Sequence, residues 1–353
     1  MTTILGIDLG KFKSVFCLFY VETGEIRYDT LRTNSTEFRA YLTRMKPTLT
    51  IFETSTAAGW VHDLCVELGL ACEVANPLGE AWQWRKVKRK TDRDDAHKLI
   101  RLYLVNELPT VHIPPVKTRE YRSLITYRQH LVERRTSICN HVRAVFQAQG
   151  VELPPGRHAW TEKGCEWWSR EFARALTKCK EGELWRGIVN MELTQLKLLE
   201  KEIVKLEKKL AELSKSHSGV ALLRTIPGVG PRTAEAVVAF LGDPHRFRTA
   251  RQVSAYAGLV PRQFQSGTID RKGKITKRGP VYLRKILVEC AWLMRRYNPW
   301  GALLVERISR GQKGRRKPAV VALARKLLVR CWAMLRKNEP WRGPDGVPEA
   351  SAA

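Results

Sequence analysis

The sequence predicts an α/β domain at its N-terminus, followed by a mainly α-helical remainder. Two observations carry that expectation. Short runs of β-forming residues, separated by turns and helical stretches, fill the first third of the chain. Beyond Thr118 the pattern changes to long amphipathic helices, broken by Gly- and Pro-containing turns. Hydrophobic residues make up 44% of the 353, enough to build folded cores.

The elements follow in order. ILGID is an apolar run ending at Asp8, SVFCLFYV is rich in β-formers, and ETGE turns the chain into IRYDTLRT. NSTEFRAYLTRM has a polar start and reads as a helix. TLTIFET at 48–54 is a buried strand with Glu53 near its end, TAAGWVHDLCVELGL is helical, and ACEVANP is a short strand. After the basic run RKVKRK (85–90) comes a helix, TDRDDAHKLIRLYLVNE. Thr91 suits its N-cap, and Asp94 three residues on completes a capping box. Three strands, then helix, strand, helix, strand, helix is the order of the ribonuclease H-like fold.

Residues 118–149 read as one long basic helix, and 151–190 form a Trp-rich stretch with no recognisable motif. In MELTQLKLLEKEIVKLEKKLAELSKS, Leu196, Leu199, Ile203, Leu206, Leu210 and Leu213 alternate spacings of three and four. That is the seam of a coiled coil, formed between subunits or as a hairpin within one chain, with a plain amphipathic helix packed on its own domain as the alternative. A basic domain from 220 to 342 opens with IPGVGPRTA. The expected organisation is therefore 1–117, 118–219 and 220–342, with a tail from 343 to 353.

Charge narrows the function. Lys and Arg number 62 against 35 acids, a formal net charge of +27 that points to a polyanion. No stretch approaches the ~20 apolar residues of a membrane span, and MTTILGIDLG lacks the features of a secretory signal. The eight cysteines contain no C-x-x-C pair and read as reduced core thiols.

Against that positive field, carboxylates gather in three distant segments. Asp8 and Glu53 stand at or near strand ends; Asp92 and Asp95, three apart, share one face of the following helix. Clustered carboxylates repel unless protonated or neutralised by a cation. Their hard oxygens select Mg²⁺ or Mn²⁺, which serve phosphodiester displacement. Arg85, Lys86, Lys88, Arg89 and Lys90 would hold a nucleic-acid backbone nearby. GIDLGKFKS also resembles the phosphate-binding hairpin of sugar-kinase and actin-like ATPases, but no adenosine motif follows, and +27 suits a small-substrate kinase poorly.

In the last third, Pro227-Gly228-Val229-Gly230 makes a turn between helices, with Pro231 fit for a first helical position. This resembles a helix-hairpin-helix, in which Gly228 and Gly230 let backbone N–H groups approach a phosphate; a ligand-free connection is the alternative. Between 269 and 297 there are nine Lys or Arg and two acids. Ser266 precedes Gly267 in a loop and is by itself a weak signal, since serine needs activation to act as a nucleophile. Arg262, Arg271, Lys272, Lys274, Lys277 and Arg278 complete the candidate nucleic-acid-binding set.

Taken together, GIDLGK, IFETS, VANP, KTDRDDAHKL, IPGVGPRTA, AYAGLVPRQFQSG and KGKITKRGPVYLRKIL resemble the DEDD transposases of bacterial insertion sequences, family one-ten. These are bridge-RNA-guided recombinases related to Piv-type DNA invertases. The resemblance covers nearly the whole chain. It implies a RuvC-like domain whose metal site maps onto Asp8, Glu53, Asp92 and Asp95, and a C-terminal transposase domain whose nucleophile maps onto Ser266. It also implies two sites that must meet, donor and target double-stranded DNA, a noncoding guide RNA, a homo-oligomer (dimer or tetramer), and a bacterial cytoplasmic, nucleoid-associated location without a membrane. Arg93 and Asp94 stand where the family has small or neutral residues, so Asp94 competes with Asp95 as a ligand. A metal-dependent RuvC-like nuclease or resolvase using water, and a catalytically inactive nucleic-acid-binding regulator, are the alternative functions.

Overall fold

The computed structural model describes residues 2–77, 79, 91–267 and 269–343. The chain divides into two compact units, Met1–Lys117 and Thr118–Ala353. The basic run 85–90 and tail residues 344–353 lie outside the described residues.

The first unit is a five-stranded sheet with helices on both faces. Its elements are β1 (Thr3–Asp8), β2 (Lys13–Tyr20), β3 (Ile26–Arg32), α1 (Ser35–Met45), β4 (Leu49–Glu53), α2 (Ala58–Glu67), β5 (Cys72–Ala75) and α3 (Asp92–Leu104). Strand order is β3-β2-β1-β4-β5. The β1–β2 and β2–β3 pairs are antiparallel; β1–β4 and β4–β5 are parallel. This mixed order is the ribonuclease H-like, RuvC-like arrangement that the element order predicts.

The two-residue period of the strands sorts their side chains between two cores. Leu5, Ile7, Phe16, Leu18, Phe52 and Val74 pack with Phe38, Leu42, Val61 and Cys65 of α1 and α2. Ile4, Cys17, Ile51 and Ala75 pack with Ala96, Leu99 and Ile100 of α3. Both faces are covered, which is why β2 reads as an unbroken apolar run. Phe16 meets Phe38 edge-on, ring centroids 4.9 Å apart, and each such buried side chain contributes about 1.5–3 kcal/mol. Asn34 caps α1 by accepting from the Glu37 N–H at 2.8 Å.

In the second unit, α4 (Val116–Ala148) and α6 (Leu184–Lys215) pack together, with α5 (Glu162–Phe172) between them in sequence. Leu193, Leu196, Leu199 and Ile203 of α6 share a core with Leu131, Ile138, Val142 and Phe146 of α4. Among the described residues, the first part of the leucine seam packs against α4 of the same chain, while Leu210 and Leu213 join a separate core. Arg128 Nε reinforces it by donating to Glu207 Oε1 at 3.0 Å. The Trp-rich stretch closes one end of this pair. Trp168 is fully buried there, its Nε1 donates to the Ala159 carbonyl at 2.9 Å, and its ring packs edge-on against Phe146.

The remaining elements are α7 (Ser218–Leu223), α8 (Pro231–Leu241), α9 (Ala250–Tyr256), β6 (Pro261–Ser266), β7 (Ile269–Ile275), α10 (Val281–Tyr297), α11 (Pro299–Ser309) and α12 (Arg316–Lys337). The helices surround one large core that includes Leu223, Val237, Leu287, Met294, Leu323 and Leu327. The β6–β7 hairpin departs from the expectation of a loop there. Every described residue from 261 to 274 is exposed, so neither face carries the apolar alternation that betrays a strand. No helix among the described residues is long and apolar enough to cross a membrane.

Candidate active site

The parallel register of β1 and β4 pairs Ile7 with Phe52, so Asp8 and Glu53 follow at the next position on neighbouring strands. Adjacent strands run about 4.8 Å apart. Asp8 has the parity of Ile4, and Glu53 that of Ile51, which puts both carboxylates on the α3 face of the sheet. Both are half-buried. Two acidic side chains are thus held side by side at the carboxyl ends of central strands, where open α/β sheets bind ligands.

Helix α3 covers that face and supplies the other two candidates. A Cβ on Gly6 would lie 2.3 Å from the Ala96 carbonyl oxygen, so helix and strand approach as closely as glycine allows. Asp92, Asp95, Ala96 and Leu99 fall on one helical face by their spacing. Asp92 is exposed and Asp95 half-buried. Asp94 is committed locally: Thr91 Oγ1 accepts from its N–H at 3.3 Å, and its Oδ2 accepts from the Thr91 N–H at 3.1 Å. That is the expected capping box, and all three aspartates also complement the helix dipole.

The structure therefore brings Asp8 and Glu53 together and puts Asp92 and Asp95 in the first turn of the helix over the same face. Among the described residues, no group of three or more His, Cys, Asp or Glu is drawn together closely enough to hold a metal ion. The chemistry of the donor set, four hard carboxylates with two in adjacent register, fits a divalent cation of the magnesium type.

Ser266 lies in the second unit, at the end of β6 rather than in a loop. It pairs with Ile269 of β7, and Gly267 after it has φ +56°. Strand alternation puts Arg262, Phe264 and Ser266 on one face, with Ile269 and Arg271 opposite. Gly273 belongs to this face too, because a Cβ there would meet the Phe264 ring at 3.2 Å. The serine hydroxyl thus shares its face with two guanidinium groups. The other face carries Gln263, whose Nε2 donates to Asp270 Oδ1 at 3.1 Å, and Lys272.

The base of the hairpin is fixed by a residue that sequence reasoning missed. Arg284 is buried, and its Nη1 donates to the carbonyls of Ala257 (3.1 Å), Arg278 (3.0 Å) and Gly279 (3.3 Å). Burial holds its pKa below the usual arginine value. Lys277 has φ +57° and donates its N–H to the Gly258 carbonyl at 3.1 Å. Gly258 and Gly279 both have positive φ, and a Cβ on either would stand within 2.1 Å of a carbonyl oxygen. Lys277 and Arg278 are accordingly part of the joint as well as of the positive field.

The Pro227–Gly230 turn connects α7 to α8, with Pro231 at the first helical position. Asn298 Nδ2 donates to the Pro227 carbonyl at 3.0 Å. Gly228 has φ +89° and packs on Met294, which accounts for its glycine structurally. A Cβ on Gly230 would meet nothing within 4 Å, so its backbone faces open space.

Known proteins resemble this chain over two stretches. A family model described as the Transposase IS116/IS110/IS902 family matches residues 220–306, and a DEDD-type IS110 transposase model matches residues 5–149. A probable family 20 transposase of Pseudomonas aeruginosa is 31% identical over 81% of this chain and 82% of its own. The transposase for insertion sequence element IS1111A of Coxiella burnetii is 28% identical over 86% and 83%. The pilin gene-inverting protein of Moraxella lacunata is 37% identical over 29% of this chain and 31% of its own. Among solved structures, Thermus thermophilus RuvC in complex with a Holliday junction substrate aligns with 31% of this chain and all of its own, at 12% identity and a TM-score of 0.24. The fold assignment rests on the strand order, not on that alignment.

Proposed function

Since this chain belongs to the IS110-type family of insertion-sequence transposases, we propose that it cleaves and exchanges DNA strands with a carboxylate site at the ends of its central strands and the hydroxyl of Ser266. The observation that carries the reading is the side-by-side placement of Asp8 and Glu53 on the α3 face. Asp8 and Glu53 form the fixed half of a ligand set for Mg²⁺ or Mn²⁺; Asp92 and Asp95 form the other half. A bound divalent ion supplies Lewis-acid polarisation of phosphodiester oxygens.

Ser266 Oγ attacks a backbone phosphorus. A Ser266 O–P bond forms as the P–O bond to the leaving sugar oxygen breaks; the serine proton passes to a base and the sugar oxygen is protonated. Arg262 and Arg271 share the serine's face and suit the charge that develops on the phosphate. Exchange follows when a new sugar hydroxyl attacks the phosphoserine and releases the enzyme. A noncoding RNA that selects DNA by pairing is the second polyanion on this reading. The net charge of +27 suits two such partners in an oligomer.

The test is a denaturing gel of the full chain incubated with labelled element-end DNA, guide RNA and Mg²⁺. A covalent protein–DNA band that disappears in Ser266→Ala supports the serine. Ser266 makes no hydrogen bond to a base among the described residues, which favours one second reading, a water nucleophile. Metal-dependent cleavage without an adduct, unchanged in Ser266→Ala, would establish that reading instead.

A further inference from the structure

The groove between α11 and α12 has no part in the chemistry above. Its volume is about 470 Å³, inside the ~300–1,000 Å³ range of small-ligand sites. Trp300, Leu304 and Val329 give it an apolar lining. Arg307, Arg325, Lys326 and Arg330 line it as well, with no carboxylate among them. None of these four cations is ion-paired among the described residues. Helix α12 as a whole carries seven Lys or Arg and no acid. Lys326 and Arg330, four apart, project from one side of it.

The aromatic part of the groove is braced. Trp300 packs edge-on against Trp341 with ring centroids 5.5 Å apart. Trp341 is buried, and its backbone N–H donates to Thr225 Oγ1 at 3.0 Å. Trp300 itself is half-buried, so a braced indole is presented beside the exposed side chains of Arg307, Lys326 and Arg330.

We propose that this groove holds an unpaired nucleotide of single-stranded DNA, the base against Trp300 and the flanking phosphates on Arg307, Lys326 and Arg330. The inference rests on the strand-exchange reading above, because exchange requires DNA strands to separate. Duplex DNA offers phosphates outside and keeps its base faces stacked inside, so it has no use for an apolar, indole-lined floor. A splayed base offers a π-face and a phosphate together, and base–aromatic stacking with a basic rim is how single strands are held. An acidic peptide would match the cations but not the indole.

The experiment uses the full chain and fluorescence anisotropy with a labelled single-stranded DNA oligonucleotide, the same sequence as RNA, and a duplex. The double variant Arg307→Gln/Lys326→Gln changes two exposed residues and spares Arg330, whose guanidinium lies over the Trp341 ring. Its single-strand Kd should weaken by about tenfold or more, and the log–log salt slope should fall by about 1.4 for two lost phosphate contacts. Duplex affinity should change less than about threefold. A single strand carrying 5-iodouracil should photocrosslink to the peptide that contains Trp300. Unchanged single-strand affinity, equal losses for duplex and single strand, binding to this groove by RNA but not DNA, displacement of DNA from it by poly-glutamate, or a crosslink elsewhere would each overturn the proposal. Those outcomes leave the strand-exchange reading standing. Failure of the unaltered protein to bind any DNA would remove both.

Discussion

Gly6 of β1 lies against Ala96 of α3, so close that a Cβ on Gly6 would stand 2.3 Å from the Ala96 carbonyl oxygen and 3.1 Å from Ile100 Cγ1. Both obstacles belong to a packed helix, and the nearer one is backbone. Gly6→Ala should therefore push α3 off the sheet and cost about 1–3 kcal/mol, the usual penalty of overpacking. DNA cleavage should fall with it, although Gly6 carries no chemistry, because α3 bears Asp92 and Asp95. Chemical denaturation and a cleavage assay on the same variant check both effects; unaltered stability would show that the contact is slack.

Asp94 is expected to behave as a cap. Asp94→Ala removes the carboxylate that accepts from the Thr91 N–H at 3.1 Å, the reciprocal half of the capping box, and from the Thr91 hydroxyl at 2.7 Å. The loss should be about 1 kcal/mol, read from a shift in the denaturation midpoint. Mn²⁺ affinity should remain that of the unaltered chain. Loss of metal affinity in this variant would exchange the roles of Asp94 and Asp95.

Arg284 should act on the hairpin through its base. Arg284→Gln cannot reproduce three donations to Ala257, Arg278 and Gly279, and a buried carbonyl left unpaired, as at Ala257, costs about 1–3 kcal/mol. Amide exchange should accelerate at Thr276 and Lys277, whose N–H groups bond to Val260 and Gly258. Strand transfer should drop while the core helices keep their protection. Unchanged exchange at those two amides would show that the glycine packing alone fixes the joint.

Stability should depend on pH through Glu235. This side chain is 1% exposed, accepts from Ser214 Oγ at 2.7 Å, and meets Arg232 Nη1 at 2.9 Å. Burial outweighs both partners and raises its pKa above the usual carboxylate range. The folded state then holds a proton that the unfolded chain releases sooner. Stability from this group is complete below the unfolded value and is lost as pH climbs through the folded one. Glu235→Gln should flatten the decline as pH rises above about 4, the ordinary glutamate range, measured by urea unfolding at a series of pH values. A decline as steep as before would place its source elsewhere.

Much of the first unit was legible because its signals are local and redundant. β2 reads as an apolar run, ETGE as a turn, and Thr91 with Asp94 as a helix start, each without knowledge of its neighbours. Asp8 and Glu53 could be nominated from strand ends, but only the β1–β4 register shows that they are neighbours on one face. The β6–β7 hairpin was illegible because both faces are exposed, so Phe264 and Ile269 carry no core pattern. Arg284 sits in a run of cations and looks like part of the positive surface; only its burial against three carbonyls distinguishes it. Likewise, Arg122 belongs to the basic helix by sequence, yet its Nε donates to the Ala239 carbonyl at 2.7 Å and its role is internal.

The most direct measurement is Mn²⁺ binding to the full chain, followed by the loss of the free-ion paramagnetic signal. The account predicts one site whose affinity falls by on the order of tenfold or more in each of Asp8→Asn, Glu53→Gln, Asp92→Asn and Asp95→Asn, and holds in Asp94→Asn. Undiminished Mn²⁺ affinity in both Asp8→Asn and Glu53→Gln would contradict it.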